Sequence, residues 1–164
     1  MTTGSTARAR TTGRTDRTSR TPVQTVALVV GIVFLVVGVA GFIPGLTSDY
    51  GSMSFAGMNS MAMLLGVFQV SVLHNIVHLL FGVAGVLFAR SPRSARNYLI
   101  WGGVIYLVLW VYGLFIGMGS DANFVPLNNA DNWLHPVLGV GMILLGILVS
   151  RRVTHRDRPT AATR

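Results

Sequence analysis

The sequence predicts an all-α integral membrane protein, a four-helix bundle made of two helical hairpins with both termini in the cytoplasm. The first observation is composition: the 164 residues are 51% hydrophobic and only 11% charged, with a mean hydropathy of +0.59. Such values are typical of membrane chains and not of soluble domains. The second observation is that four apolar stretches are long enough to cross a bilayer. The third is that every arginine lies outside those stretches.

The four predicted spans contain no Asp and no Arg, and they cover residues 23–43, 64–89, 98–118 and 133–150. A helix needs about 20 mostly apolar residues to cross the hydrocarbon core. Because lipid offers no hydrogen bonds, each span must satisfy its own backbone and is therefore helical. A cleaved signal peptide is the competing interpretation of the first span, but the apolar run there is longer than in most such peptides.

The arginines predict the orientation of the chain. All 13 of them lie in residues 1–22, 90–96 and 151–164, whereas the segments 44–63 and 119–132 contain none. Segments rich in positive charge are retained on the cytoplasmic side of a membrane. Both termini are therefore predicted to be inside, and the cytoplasmic membrane is the expected location.

The two ends of the chain are predicted to flank a transmembrane domain at residues 23–150. Residues 1–22 form an Arg/Thr-rich arm that is too polar to fold alone, and residues 151–164 form a basic tail. Arginines near the membrane surface are attracted to anionic lipids of the inner leaflet, which are the expected partners of the arm. The arm has no aromatic residue and no recognisable nucleic-acid-binding motif, which disfavours nucleic acid as a partner.

Small residues predict close helix packing. Apolar attraction between helices is weak in lipid, so association depends on small side chains and on a few polar contacts. The chain has 19 glycines, and those expected to mediate helix packing are Gly82, Gly85, Gly113, Gly117 and Gly139. An aromatic stripe on the third span, with Tyr106 and Trp110, is interpreted as core packing.

A polar stripe marks the second span. Its side chains recur at helical spacing on one face and are Ser71, His74, Asn75 and His78. Asp131 and His135, one turn apart at the head of the fourth span, are expected to complete a polar cluster inside the membrane. Ionisable groups within spans suggest a functional site by default.

Three interpretations of this cluster stay open. The groups can hydrogen-bond between helices and fix their register, or they can form a proton relay or ligand pocket. As a third interpretation, His74, His78 and His135 can bind haem, copper or zinc, because histidine is the commonest metal ligand. Haem is disfavoured because a porphyrin needs a wide slot and only one of the three histidines comes from a second helix.

Several enzyme classes are excluded by the motifs that are missing. The chain has no cysteine, which rules out thiolate metal sites and cysteine nucleophiles. It also has no Walker A sequence, no H-E-x-x-H and no G-x-S-x-G motif. No catalytic residue is predicted, and catalysis is not the expected activity.

The segment from Leu73 to Gly85, with its H-N-x-x-H-x-x-x-G pattern, resembles the four-span bacterial membrane proteins of domain of unknown function family 4383, which are common in actinobacteria. The segment from Leu134 to Gly141 resembles a second signature of that family, and the resemblance covers residues 23–150. It implies an integral membrane architecture without an assigned reaction. The matching positions are His74, Asn75, His78, Gly82, Asp131 and His135.

The resulting functional prediction is a structural or partner-binding membrane component without catalytic activity. Its expected partner is a second copy of the chain or another membrane protein. The first alternative is a haem- or metal-binding redox protein that uses the histidines. The second alternative is a transporter of a small neutral or anionic solute, which depends on an inward-facing polar pocket.

Overall fold

The computed structural model describes residues 19–57, 59–116, 120, 122, 124 and 128–154. For residues 151–154 it describes the backbone but not the side chains. The chain is mostly helical, with α1 at Pro22–Ala40, α2 at Val72–Phe88, α3 at Pro92–Phe115 and α4 at Asn129–Thr154. Most of the predicted arm and tail, together with Gly117, lies outside the described residues.

Three of these helices, α1, α3 and α4 to Ser150, are long and apolar enough to cross a membrane. Helix α2 is equally apolar in character but has 17 residues. At a rise of about 1.5 Å per residue it is roughly 25 Å long, slightly less than the hydrocarbon thickness. Length and composition therefore make the chain compatible with a membrane protein.

The start of the second predicted span is wrong, because residues 64–71 are not helical. Residues 47–69 instead contain three two-residue antiparallel strands in the order β1–β2–β3: Thr47–Ser48, Met63–Leu64 and Phe68–Gln69. A 3-10 turn at Tyr50–Ser52 lies between the first two strands. Apolar residues in a short run fit a buried strand as well as a helix, so hydropathy alone placed the boundary too early.

The hairpin between β2 and β3 shows why the chain turns there. Leu65 and Gly66 both have positive φ angles, of 53° and 69°, the pattern of the tight turn that matches the twist of paired strands. Helix α2 then begins at Ser71, whose Oγ accepts a hydrogen bond from the His74 N–H at 3.1 Å.

The helices pack in two pairs, α1 with α2 and α3 with α4, and contacts between the pairs are fewer. Glycines lie where the backbones approach each other. A Cβ on Gly82 would come within 2.8 Å of the Gly31 oxygen, and one on Gly139 within 2.9 Å of the Gly103 oxygen. A Cβ on Gly85 would meet Gly31 and the Tyr98 side chain, while Gly113 lies in α3.

The buried core lies between the pairs and includes Phe34, Tyr98, Leu99, Tyr106 and Met142. In contrast, many large apolar side chains on the outer faces are exposed, such as Val36 at 61%, Val108 at 62% and Val137 at 68%. Large exposed apolar surfaces mark sites that contact protein or membrane. Around most of this chain, the outer surface has the character of one that contacts lipid.

Candidate functional site: a histidine-lined cavity

A cavity of about 450 Å³ lies between the helix pairs, next to the β2–β3 hairpin. Its volume falls within the range of small-molecule sites, about 300–1,000 Å³. Most of its wall is aliphatic and comes from α1, α4 and the hairpin, and its polar lining residues are His74, His78, Tyr106, Asp131 and His135. The cavity thus combines an apolar body with a small group of polar side chains.

His74 and His78 lie one turn apart on α2 and both line the cavity. Their rings stack with centroids 4.6 Å apart, and His78 also stacks on Phe34 at 5.7 Å. His74 is only 4% exposed. Its ring approaches the backbone carbonyl of Gln69.

The Nδ1 atoms of both histidines are buried and have no hydrogen-bond partner among the described residues. Leaving a buried polar atom unpaired costs about 1–3 kcal/mol. Buried polar groups are nearly always satisfied, so an unpaired one calls for an explanation such as an unseen ligand or water. Within the polar cluster, the Oδ1 of Asn75 shares this lack of a partner, but of these residues only the two histidines line the cavity.

His135 enters the cavity from the first turns of α4 and is held in one orientation. Its Nδ1 lies 2.7 Å from the backbone oxygen of Asp131. A carbonyl oxygen only accepts, so Nδ1 is the donor and, in the neutral ring, Nε2 is left as an acceptor. The His135 ring also packs against Tyr106, with centroids 5.1 Å apart.

Asp131 has a structural role at the start of α4. Its Oδ2 accepts hydrogen bonds from the backbone N–H groups of Asn128 and Gln69, both at 3.1 Å. The Asn128 side chain in turn donates to the Val67 oxygen at 2.7 Å. Asp131 therefore caps α4 and fastens it to the hairpin, which is the register-fixing role proposed for the polar cluster.

The remaining residues of the predicted stripe do not line the cavity. Ser71 caps α2, and Gly82 packs against α1. Asn75 is fully buried and occupies the space beside Gly41, where its Oδ1 has no partner among the described residues. Of the six matching positions of the resemblance, four thus line the cavity, and the other two, Asn75 and Gly82, have packing roles.

Sequence reasoning missed Gln69 and Ser60, which tie the loop segments together. Gln69 Nε2 donates to the Ser60 oxygen at 2.7 Å, and Ser60 Oγ donates to the Val70 oxygen at 2.6 Å. No local pattern could reveal these bonds, because they join residues of two separate loop segments. The Asn128-x-x-Asp131 spacing, by contrast, is a local capping signal that could have been used.

The geometry gives no support to a metal centre. Within residues 19–116 and 128–150, as far as they are described, no three His, Cys, Asp or Glu side chains are arranged to hold one metal ion. His74 and His78 stack face to face at 4.6 Å, which leaves no room for a macrocycle between them.

A family model described as "Domain of unknown function (DUF4383)" matches residues 24–148. This match confirms the resemblance carried by the two histidine-containing segments. No curated protein and no solved structure matches the chain. The comparisons thus give a family without an assigned activity, and function must be argued from the cavity itself.

Proposed function

We propose a ligand-binding role for this chain, which belongs to the DUF4383 family: its cavity binds a membrane-soluble molecule with an apolar body and a small uncharged head. The observation that carries the proposal is the pair of histidine rings, His74 and His78, that line a cavity of about 450 Å³ and lack a side-chain partner for their Nδ1 atoms among the described residues. A head group in the cavity can hydrogen-bond to these imidazole rings. The partner in this partner-binding component is thus a small amphipathic molecule.

The proposal includes a four-span topology with both termini in the cytoplasm. The exposed arginines of the α2–α3 turn, Arg90, Arg93 and Arg96, mark the cytoplasmic end. The β hairpin and the start of α4 then lie at the outer end. The histidine cavity consequently belongs to the outer half of the membrane domain.

The walls of the cavity support entry from the bilayer. Val29 and Val33 of α1 and Val137 of α4 line it and are each more than half exposed. Helices α1 and α4 make few contacts with each other, because they belong to different pairs. An apolar molecule can therefore reach the cavity between these two helices without crossing water.

The polar lining indicates the chemistry of the head group. His135 presents an acceptor nitrogen, and the imidazole rings of His74 and His78, which line the cavity, can donate or accept according to the tautomer. Among the described lining residues there is no arginine to pair with a carboxylate or phosphate. A hydroxyl or carbonyl head, as in a long-chain alcohol or a quinone, fits this lining better than an anionic head.

Equilibrium binding to the purified full chain in mild detergent tests the proposal, with a prenylated benzoquinone, a long-chain alcohol and a fatty acid as probes. We expect saturable binding of an uncharged probe, weakened about tenfold when His74 and His78 are both replaced by phenylalanine, because two hydrogen bonds of about 0.5–1.5 kcal/mol are lost. Tyr98→Phe is the matched control. It removes a hydroxyl that donates to the Phe81 oxygen at 3.1 Å, away from the lining of this cavity.

Two results would overturn the proposal. One is a folded wild-type chain that binds neither uncharged probe. The other is binding that the double histidine variant retains in full, since the probe would then occupy some other part of the apolar surface.

A further inference from the structure

A second cavity, of about 520 Å³, forms a groove between α2 and α3. Leu80, Phe88 and Trp101 line it and are each half exposed or more, so the groove is open to the outer surface. Ser94 and Asn97 line the end next to the turn that joins the two helices, where Ser94 Oγ donates to the Phe88 oxygen at 2.8 Å. The groove is therefore apolar along its length and polar at the turn.

Two arginines lie close to the polar end along the chain. Arg90 lies in the turn, and Arg93 lies one helical turn before Asn97, on an adjoining part of the same face. Both arginines are exposed. The carboxylates among the described residues, Asp49 and Asp131, lie at the opposite end of the helices, near the hairpin.

We propose that this groove binds one molecule of an anionic phospholipid. Its phosphate pairs with Arg90 and Arg93, and an acyl chain lies along the groove past Phe88 and Trp101. Charge complementarity supports this occupant, because basic pockets beside helices at the cytoplasmic surface attract anionic head groups. Guanidinium groups suit phosphate because they form paired, charge-assisted hydrogen bonds. The proposal depends on the membrane placement but not on the histidine cavity.

Fluorescence quenching provides the test. Trp110 and Trp133 are replaced by phenylalanine in the full chain, leaving Trp101 as the only tryptophan of the three. Phosphatidylglycerol or phosphatidylcholine with brominated acyl chains is then titrated in neutral detergent. We expect saturable quenching of Trp101 by phosphatidylglycerol at about tenfold lower concentration than by phosphatidylcholine, because the quaternary ammonium of phosphatidylcholine cancels the net negative charge that the arginines attract.

Charge-neutral variants locate the head group. Arg93→Gln and Arg90→Gln are expected to reduce the preference for phosphatidylglycerol, and Arg96→Gln is the matched control. The Arg96 backbone oxygen lies 3.4 Å from where a Cβ on Gly146 would be, so this part of α3 faces α4 and not the groove. Glycerol phosphate, added as a free head group, should not displace the lipid.

Equal quenching by the two lipids would overturn the proposal, as would equal loss in the Arg93 and Arg96 variants, which would indicate unspecific attraction. If a variant fails to fold, the comparison of the two lipids on the parent chain still decides. The double histidine variant should keep the lipid preference in full. Failure of the histidine cavity and failure of this groove are therefore distinguishable.

Discussion

Replacing His74 by phenylalanine is expected to stabilise the ligand-free protein. The buried Nδ1 of His74 has no partner among the described residues, and such an atom costs about 1–3 kcal/mol. Phenylalanine has no polar ring atom, keeps the stacking on His78 at 4.6 Å and can expand into the adjacent cavity. Loss of the approach to the Gln69 carbonyl offsets part of the gain. The net increase in unfolding free energy should be about 1 kcal/mol.

The free energy of unfolding in mixed detergent, measured by titration with a denaturing detergent and followed by circular dichroism, checks this value. His135→Phe provides the comparison, because it removes the hydrogen bond between Nδ1 and the Asp131 oxygen. It should destabilise the protein by about 1 kcal/mol. If His74→Phe destabilises the protein as much as His135→Phe does, His74 is a structural residue and the reasoning from its unpaired nitrogen is refuted.

Three further predictions concern stability and use the same unfolding assay. Asp131→Ala should lower the free energy of unfolding by about 3 kcal/mol, because it leaves the backbone N–H groups of Gln69 and Asn128 unpaired. Asp131→Asn should retain most of that stability, and equal losses in the two variants would contradict the capping role. Leu65→Asn should gain about 1 kcal/mol, because Leu65 has a φ of 53° that asparagine tolerates better, and a loss would refute the turn assignment. Gly139→Ala should lower the free energy of unfolding by about 2 kcal/mol, because the added methyl group overpacks against α3. A Cβ on Gly141 meets no atom within 4 Å, so Gly141→Ala should not destabilise the protein. Similar losses in the two variants would refute the close approach of α3 and α4.

The sequence predicted the helices well because their signals are local. Long apolar runs located the helices, although the third run was predicted to begin at residue 98 and α3 begins at Pro92. Ser91 and Pro92 are local helix-start signals that could have placed this boundary. Helical spacing also placed His74 and His78 on one face. The small sheet was missed, because its pairs, such as Thr47 with Leu64, join residues far apart in the chain.

Of the predicted polar cluster, His74, His78, Asp131 and His135 line the cavity, whereas Ser71 and Asn75 do not, and the separate roles of these side chains were not predicted. Sequence spacing grouped Asp131 with the histidines, yet its carboxylate bonds to Gln69 and Asn128. Which polar atoms stay unpaired depends on the loop that packs above the helices, and spacing along one helix cannot show this. Tyr106, interpreted as core packing, also forms part of the cavity wall.

The most direct measurement of the central claim is photolabelling of the full chain in lipid nanodiscs by a long-chain alcohol with a photoreactive tail, mapped by mass spectrometry. The account predicts label on the cavity walls, at Val33 and Val137, which excess unlabelled alcohol competes away and the double histidine variant loses. Label spread evenly over exposed positions outside both cavities, such as Val36 and Val108, and insensitive to competition would contradict it.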